Sequence, residues 1–278
     1  MTLQVKNSSA WVTPSQVHAK SGGVWNECSQ VWIKQGGTWY QMLTTLEITA
    51  DTADYNLFTA LGSPITPITA RIVIASGVTI SSTGTSNLAL TISGFPAGSV
   101  IYLVNNGTIV GAGGAGGDRV AGTGPAAKFG IGGGTALYTR NTVKLTNNGT
   151  IAGGGGGGGG GGRTNRSGEA YDDFTGNGGG GAGNIVGAGG GGSGTAAADG
   201  TATAGGVGNG YYSSGGSSER QIGSTGGTGG NLGVAGARGQ PNPDFDGTNT
   251  GGAAGKALDG LSYITKTVTG TILGLEVN

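Results

Sequence analysis

Apolar positions along this chain alternate with polar ones or run in short blocks, and nowhere do they recur at helical spacing. Between 46 and 104, three stretches combine β-branched and aliphatic residues: Arg71-Ile72-Val73-Ile74, Leu88-Ala89-Leu90-Thr91-Ile92 and Ser99-Val100-Ile101-Tyr102-Leu103-Val104. Turns containing Gly, Pro or Ser separate them, a pattern that predicts strands. No long apolar pattern of period 3.6 with credible caps accompanies them. The chain is expected to be mostly β and irregular, with little or no α-helix.

Two internal repeats organise the rest. Trp11, Trp25 and Trp39 stand 14 residues apart, and between them Ser15-Gln16-Val17 aligns with Ser29-Gln30-Val31, Lys20 with Lys34, and Gly22-Gly23 with Gly36-Gly37. Each unit reads as a strand, a glycine turn and a return strand ending on Trp, because paired glycines supply the positive φ of tight hairpins. A small β module with a tryptophan core and a docking module are both consistent with this repeat. The second repeat is longer. Val104-Asn105-Asn106-Gly107-Thr108-Ile109 returns 42 residues later as Thr146-Asn147-Asn148-Gly149-Thr150-Ile151, and a glycine run follows each copy.

Composition sharpens the picture at this point. Of the 67 glycines, 56 lie between Gly107 and Gly260. Fixing ten glycines in a row opposes folding by on the order of 10–20 kcal/mol, since each ordered backbone residue costs about 1–2 kcal/mol and Gly loses most freedom. A flexible linker avoids that cost. An ordered alternative is a bundle of polyproline-II-like helices, with three residues per turn and no internal hydrogen bonds. Without side chains, such helices approach closely enough to bond one another's backbone groups. The run 153–162 would then span roughly 31 Å at about 3.1 Å per residue. Collagen's strict Gly-X-Y period is absent. The duplicated lead-in, the proline-free longest runs, the loop-like inserts between runs and the strand-like close at Leu261-Ser262-Tyr263-Ile264-Thr265-Lys266-Thr267-Val268 favour order. The expected organisation is 1–45 as a Trp-repeat β attachment module, 46–106 as a β-rich connecting domain, and 107–278 as a glycine-rich domain with a C-terminal strand.

Charge and candidate chemistry exclude several functions. Formal net charge is zero, so no basic field draws in nucleic acid or anionic lipid. Cys28 is the only cysteine and His18 the only histidine, which leaves neither an intrachain disulfide nor a credible Cys–His pair. No secretory h-region or membrane-length apolar run is found, so synthesis in a cytoplasm is expected. Asp172-Asp173 and Asp244-x-Asp246 imitate paired carboxylates, but no second group of ligands accompanies them. Gly-x-Gly-x-x-Gly recurs by composition and lacks a strand-to-helix setting. No enzymatic activity, cofactor or metal is expected.

Phe95-Pro96-Ala97-Gly98-Ser99-Val100, the two Asn-Asn-Gly-Thr-Ile copies with their glycine runs, and Gly251-Gly252-Ala253-Ala254-Gly255-Lys256-Ala257-Leu258-Asp259-Gly260 resemble the glycine-rich distal regions of tailed-phage fibres. So do Ser262-Tyr263-Ile264 and Gly270-Thr271-Ile272-Leu273-Gly274. The resemblance runs from about Asn56 to the C-terminus and is to the receptor-binding adhesins at the tips of T-even-like long tail fibres. It implies a polyglycine-II sandwich whose loops recognise a bacterial outer-membrane protein or lipopolysaccharide. It also implies a place at the tip of a virion tail fibre, with the N-terminal module attached to another tail fibre or tail tip protein. Val31 to Trp39 resembles short repeats in other phage tail proteins.

Helices running back and forth through a slab must release their inserts at its ends, where recognition residues are usually carried. Three inserts stand out. The first holds Arg163, Arg166, Tyr171, Asp172, Asp173 and Phe174; the second Tyr211, Tyr212 and Arg220; the third Asp244, Phe245 and Asp246. Tyrosine, arginine and small polar residues suit a binding face. Lys128-Phe129 and Tyr138-Thr139-Arg140 are weaker candidates. A purely structural fibre connector or cap is the alternative, and an ice-binding glycine slab a third reading that the charged inserts oppose.

Overall fold

The structure, a computed structural model, describes residues 5–7, 10–12, 17–28, 30–35, 38–118, 129–161, 176–191, 196–210, 225–240 and 249–278. Among these the chain is nearly all β, with one four-residue helix, Leu57–Ala60, capped by the Asn56 side chain.

The N-terminal repeat folds as antiparallel pairs. Val5–Asn7 pairs with Ala10–Val12, His18–Ser21 with Val24–Glu27, and Gln30–Gln35 with Thr38–Ile48. Gly22 and Gly23 both have positive φ (57° and 83°), as a two-residue hairpin turn demands. Trp11, Trp25 and Trp39 each occupy the second position of the return strand and do not close it; at Trp25 the turn Gly22-Gly23 ends two residues before.

From Thr38 onward the strands run parallel in three sheets, and the chain visits them in rotation. This is a triangular solenoid of five coils. The first coil is Thr38–Ile48, Thr52–Ala53 and Tyr55–Asn56; the second is Thr69–Ile74, Thr79–Ser81 and Leu88–Ile92. The third is Val100–Asn105, Thr108–Val110 and Thr135–Thr139; the fourth is Thr142–Asn147, Thr150–Ala152 and Lys256–Asp259. The closing segment forms a complete fifth coil, Ile264–Val268, Thr271–Leu273 and Leu275–Val277, where one strand was expected. Period-two alternation turns every second side chain into the lumen, and parallel register stacks like on like. Ile80, Ile109, Ile151 and Ile272 form one such column; Ile72, Leu103 and Leu145 form another; Leu90, Leu137 and Leu258 form the third. All but Ile272 are completely buried, each stabilising the fold by about 1.5–3 kcal/mol.

The 42-residue repeat is the step from the third coil to the fourth. Asn105 and Asn147 lie in register at the corner between first and second sides, fully buried. Asn105 Nδ2 donates to Asn147 Oδ1 at 2.7 Å, and Asn147 Nδ2 donates to the carbonyls of Thr269 (2.7 Å) and Thr271 (3.2 Å) in the fifth coil. An asparagine ladder thus ties three coils together.

At the corner between second and third sides, the third and fourth coils open. The chain leaves after Val110 and Ala152 and returns at Thr135 and Lys256. Between these points it makes ten extended passes with no strand or helix: 111–118, 129–134, 153–161, 176–182, 187–191, 196–200, 205–210, 225–230, 234–240 and 249–255. Odd-numbered passes run away from the solenoid and even-numbered ones return. Solenoid and glycine passes therefore alternate along the sequence.

The third pass, 153–161, is buried throughout. Its N–H groups point in three directions in turn: Gly154 and Gly157 donate to the second pass (Gly134, Ile131), Gly155 and Gly158 to the fourth (Ala182, Gly179), and Gly156 and Gly159 to the ninth (Val234, Ala237). Its carbonyls accept from three further passes: Gly155 and Gly158 from the first, Gly154 and Gly157 from the tenth, and Gly156 and Gly159 from the eighth. The bonding directions thus repeat every three residues, and six passes surround this one. The fourth pass likewise has six neighbours: the first, third, fifth, sixth, seventh and eighth. Two adjacent interior members of a hexagonal array have eight neighbours between them, so ten passes complete a layered 3-4-3 arrangement. The remaining eight form a closed ring around the two.

Candidate functional site

Alternation of direction places the connections. Those joining an outward pass to the next inward one are 119–128, 162–175, 192–195, 211–224 and 241–248. The turns at 183–186, 201–204 and 231–233 lie at the opposite end, beside the solenoid. Hydrogen bonds among the flanking residues draw the five bases into one surface. Gly161 N–H donates to Gly176 O at 2.8 Å across the base of the second insert, and a bridge joins Gly210 to Thr225 across the fourth. Gly239 N–H donates to Asn249 O (3.1 Å) across the fifth, and Gln240 N–H to Thr225 O (2.9 Å) links it to the fourth.

Side chains lock the bases to one another. Asn249, only 3% exposed, donates from Nδ2 to Gly161 O at 3.0 Å and so joins the second and fifth inserts. Asn209 Oδ1 accepts from Asn177 N–H at 2.8 Å, while Asn177 O accepts from Asn209 N–H at 3.0 Å, joining the second to the fourth. Asp118 Oδ1 accepts from Gly191 N–H at 2.8 Å, joining the first to the third. Asn and Asp suit these positions because a short polar side chain bonds backbone groups at the ends of the passes.

Arg163, Arg166, Tyr171, Asp172, Asp173, Phe174, Tyr211, Tyr212, Arg220, Asp244, Phe245 and Asp246 lie outside the described residues, as does Lys128. What the structure does place is the root of each segment that carries them, and these roots share one end. Phe129 stands at the root of the first insert, 58% exposed, with Ile131 (53%) two residues on. The residues that flank 119–128 and 192–195 share that end too, and neither segment was among the three inserts singled out from the sequence. Counting passes would have found them, since every outward pass must turn back there.

Tyr138, Thr139 and Arg140 belong elsewhere. They close the third side of the third coil, at a different corner from the one the passes leave. Thr139 is buried and donates from Oγ1 to Ile92 O at 3.0 Å. Arg140 lies over the Tyr138 ring, 4.2 Å from its centroid, and its Nη2 bonds Asp259 Oδ1 at 2.9 Å. Lys256 Nζ reaches Asp259 Oδ2 at 2.6 Å. Burial alone would raise the Asp259 carboxyl, but the hydrogen bonds and charges of Lys256 and Arg140 outweigh it and hold the group below the usual carboxylate range. A depressed folded value stabilises the fold above the unfolded value of about 4, and that contribution is lost as pH falls through the folded value. Asp259→Asn is therefore expected to cost about 1–2 kcal/mol at pH 7 and to flatten the acid limb of the stability profile, as read from urea midpoints between pH 3 and 7. Equal slopes for variant and parent would show that the cluster contributes nothing.

Among the described residues no group of three or more His, Cys, Asp or Glu is placed to hold a metal, and no helix is long and apolar enough to cross a membrane.

A solenoid with a hexagonal glycine array on one corner, whose inserts all root at the far end, defines a scaffold for presenting loops. The family described as "Phage tail fibre adhesin Gp38" matches residues 43–277, and the chain belongs to that family. It is thus a phage tail fibre adhesin, a virion tail component, and the family is one of adhesins and not of enzymes. It is similar to a chain in the crystal structure of the gp37–gp38 adhesin tip complex of the bacteriophage S16 long tail fibre, at 26% identity. The alignment covers 85% of this chain and 83% of that one, with a TM-score of 0.57. No curated protein matches the sequence.

Proposed function

We propose that this protein is the adhesin at the tip of a phage tail fibre, that its five inserts form the surface that recognises a bacterial outer-membrane protein or surface glycan, and that they set host range. The observation that carries the proposal is the convergence of all five roots on one end of the array, tied by Asn177, Asn209, Asn249 and Asp118. A surface of that kind gives rigid support to loops of free sequence, so the contacts change while the scaffold does not. Arg163, Arg166, Tyr171, Asp172, Asp173, Phe174, Tyr211, Tyr212, Arg220, Asp244, Phe245 and Asp246 are assigned to it.

The passes are read as polyglycine-II helices, on the three-residue repeat of bonding directions. Residues 1–45 are assigned to attachment on another tail fibre or tail tip protein, supported by the S16 structure, in which gp38 is bound to gp37, and by the family match beginning only at 43. Synthesis in the host cytoplasm follows from assembly into a virion.

Transplanting 162–175, 211–224 and 241–248 from a relative with a different host is expected to move the host range of phage carrying the chimera. The measurement is plating efficiency and adsorption on porin-deleted and polysaccharide-deficient strains. Unchanged host range with normal adsorption would remove the inserts from recognition. Purified protein that neither binds susceptible cells nor competes with phage would point instead to a structural connector.

A further inference from the structure

The two ends of the solenoid are finished differently. At the first coil, the antiparallel strand Gln30–Gln35 covers the first side, and the other sides end on two-residue strands, Thr52–Ala53 and Tyr55–Asn56. Covered or very short edges offer little template for another chain. At the fifth coil, Ile264–Val268, Thr271–Leu273 and Leu275–Val277 are each the outermost strand of their sheet among the described residues. Val268, Leu273 and Leu275 on these strands are 44%, 38% and 53% exposed. Three open edges with an apolar rim invite pairing.

Two lumen columns that carry no charge in the earlier coils take one at this coil. The column of Leu46, Ile72, Leu103 and Leu145 ends on Lys266, and the column of Tyr55, Leu90, Leu137 and Leu258 ends on Glu276. The third keeps Ile272. Lys266 Nζ and Glu276 Oε2 are bonded to each other across the end of the lumen, with side chains 23% and 30% exposed. A pair of charges half-withdrawn from water is seldom more stabilising than two well-packed aliphatic residues. Its placement calls for a reason other than stability.

We propose that Lys266 and Glu276 seal the solenoid end against a second copy of this chain. A second fifth coil is the occupant that fits, because a twofold axis would oppose the same triangle of edges and the same apolar rim. Stacking the two would take both ion pairs fully out of water, and the desolvation opposes the contact. Inward-turned charges of this sort are a known protection of exposed sheet edges.

The test uses the full chain and sedimentation velocity over a concentration series, with circular dichroism as the check of folding. The parent is expected to stay monomeric through this surface, and the Lys266→Leu/Glu276→Leu double variant to reach twice the parent's mass as concentration rises. The reversed pair, Lys266→Glu/Glu276→Lys, restores the charges and is expected to sediment as the parent. A folded double-leucine variant that stays at parental mass overturns the proposal, as does a reversed pair that dimerises. A double-leucine variant that fails to fold also overturns it, since the pair would then be needed by the monomer itself.

Discussion

Gly157→Ala is expected to dismantle the glycine array, whereas Gly132→Ala in the same array leaves it intact. A Cβ on Gly157 would lie 1.9 Å from Ala115 O and 2.3 Å from Ala115 C, both backbone atoms of the first pass. The first pass cannot give way, because Gly114 and Gly117 donate into the third pass while Ala115 O accepts from Ile131 N–H in the second. Moving it by the needed ångström breaks several of these bonds together. Ordinary overpacking costs about 1–3 kcal/mol, and several lost backbone bonds at about 1 kcal/mol each bring the total to on the order of 5 kcal/mol. At Gly132 the nearest atom to an added Cβ is Ala253 O at 3.4 Å, an ordinary contact, so that change is expected within about 0.5 kcal/mol of neutral. Thermal midpoints and limited proteolysis within 111–255 read the difference. Equal midpoints for the two variants would mean that the array is not packed as described.

The second large effect is expected at Asn147. Asn147→Asp keeps the shape and replaces the Nδ2 donor by an acceptor, facing the carbonyls of Thr269 and Thr271. A completely buried carboxylate without a cation beside it is strongly disfavoured, so the new group must hold its proton or force the fifth coil away. Its folded pKa is raised above the unfolded value of about 4, so its penalty is smallest below that value and grows as pH rises. At pH 7 the loss is expected to be on the order of 3–5 kcal/mol, greater than at pH 4. Asn148→Ala, one residue on at an exposed bond to Asn106, is expected to cost under about 1 kcal/mol. Urea unfolding of both variants at the two pH values measures this. A pH-independent loss for Asn147→Asp would place the ladder in contact with water.

The same residues show how much of the fold was legible beforehand. The strands expected at 71–74, 88–92 and 99–104 overlap Thr69–Ile74, Leu88–Ile92 and Val100–Asn105, because aliphatic and β-branched alternation reports a half-buried pleated surface directly. The repeat of Asn-Asn-Gly-Thr-Ile was visible as a repeat, but not as two steps of one solenoid. Parallel pairing joins residues 42 apart in one case and over a hundred apart in the next, and nothing local encodes the partner.

For the candidate site the division is similar. Three of the inserts announce themselves by composition, as aromatic and charged residues between glycine runs. The common end of their roots does not, because it depends on how many passes precede each root and on which carbonyl each N–H finds.

By itself, the sequence determined that the chain is β-rich, that its glycine runs favour an ordered arrangement, and where three of the segments interrupting those runs lie. These follow from local chemistry: side-chain alternation, the absence of Cβ, and the cost of leaving backbone groups unbonded. The tertiary structure alone decided that 153–161 and 176–182 are the interior passes, that the coils of the solenoid carry the array, and that five roots meet on one surface. Those are properties of hydrogen bonds between distant backbones, which carry no side-chain signature to read.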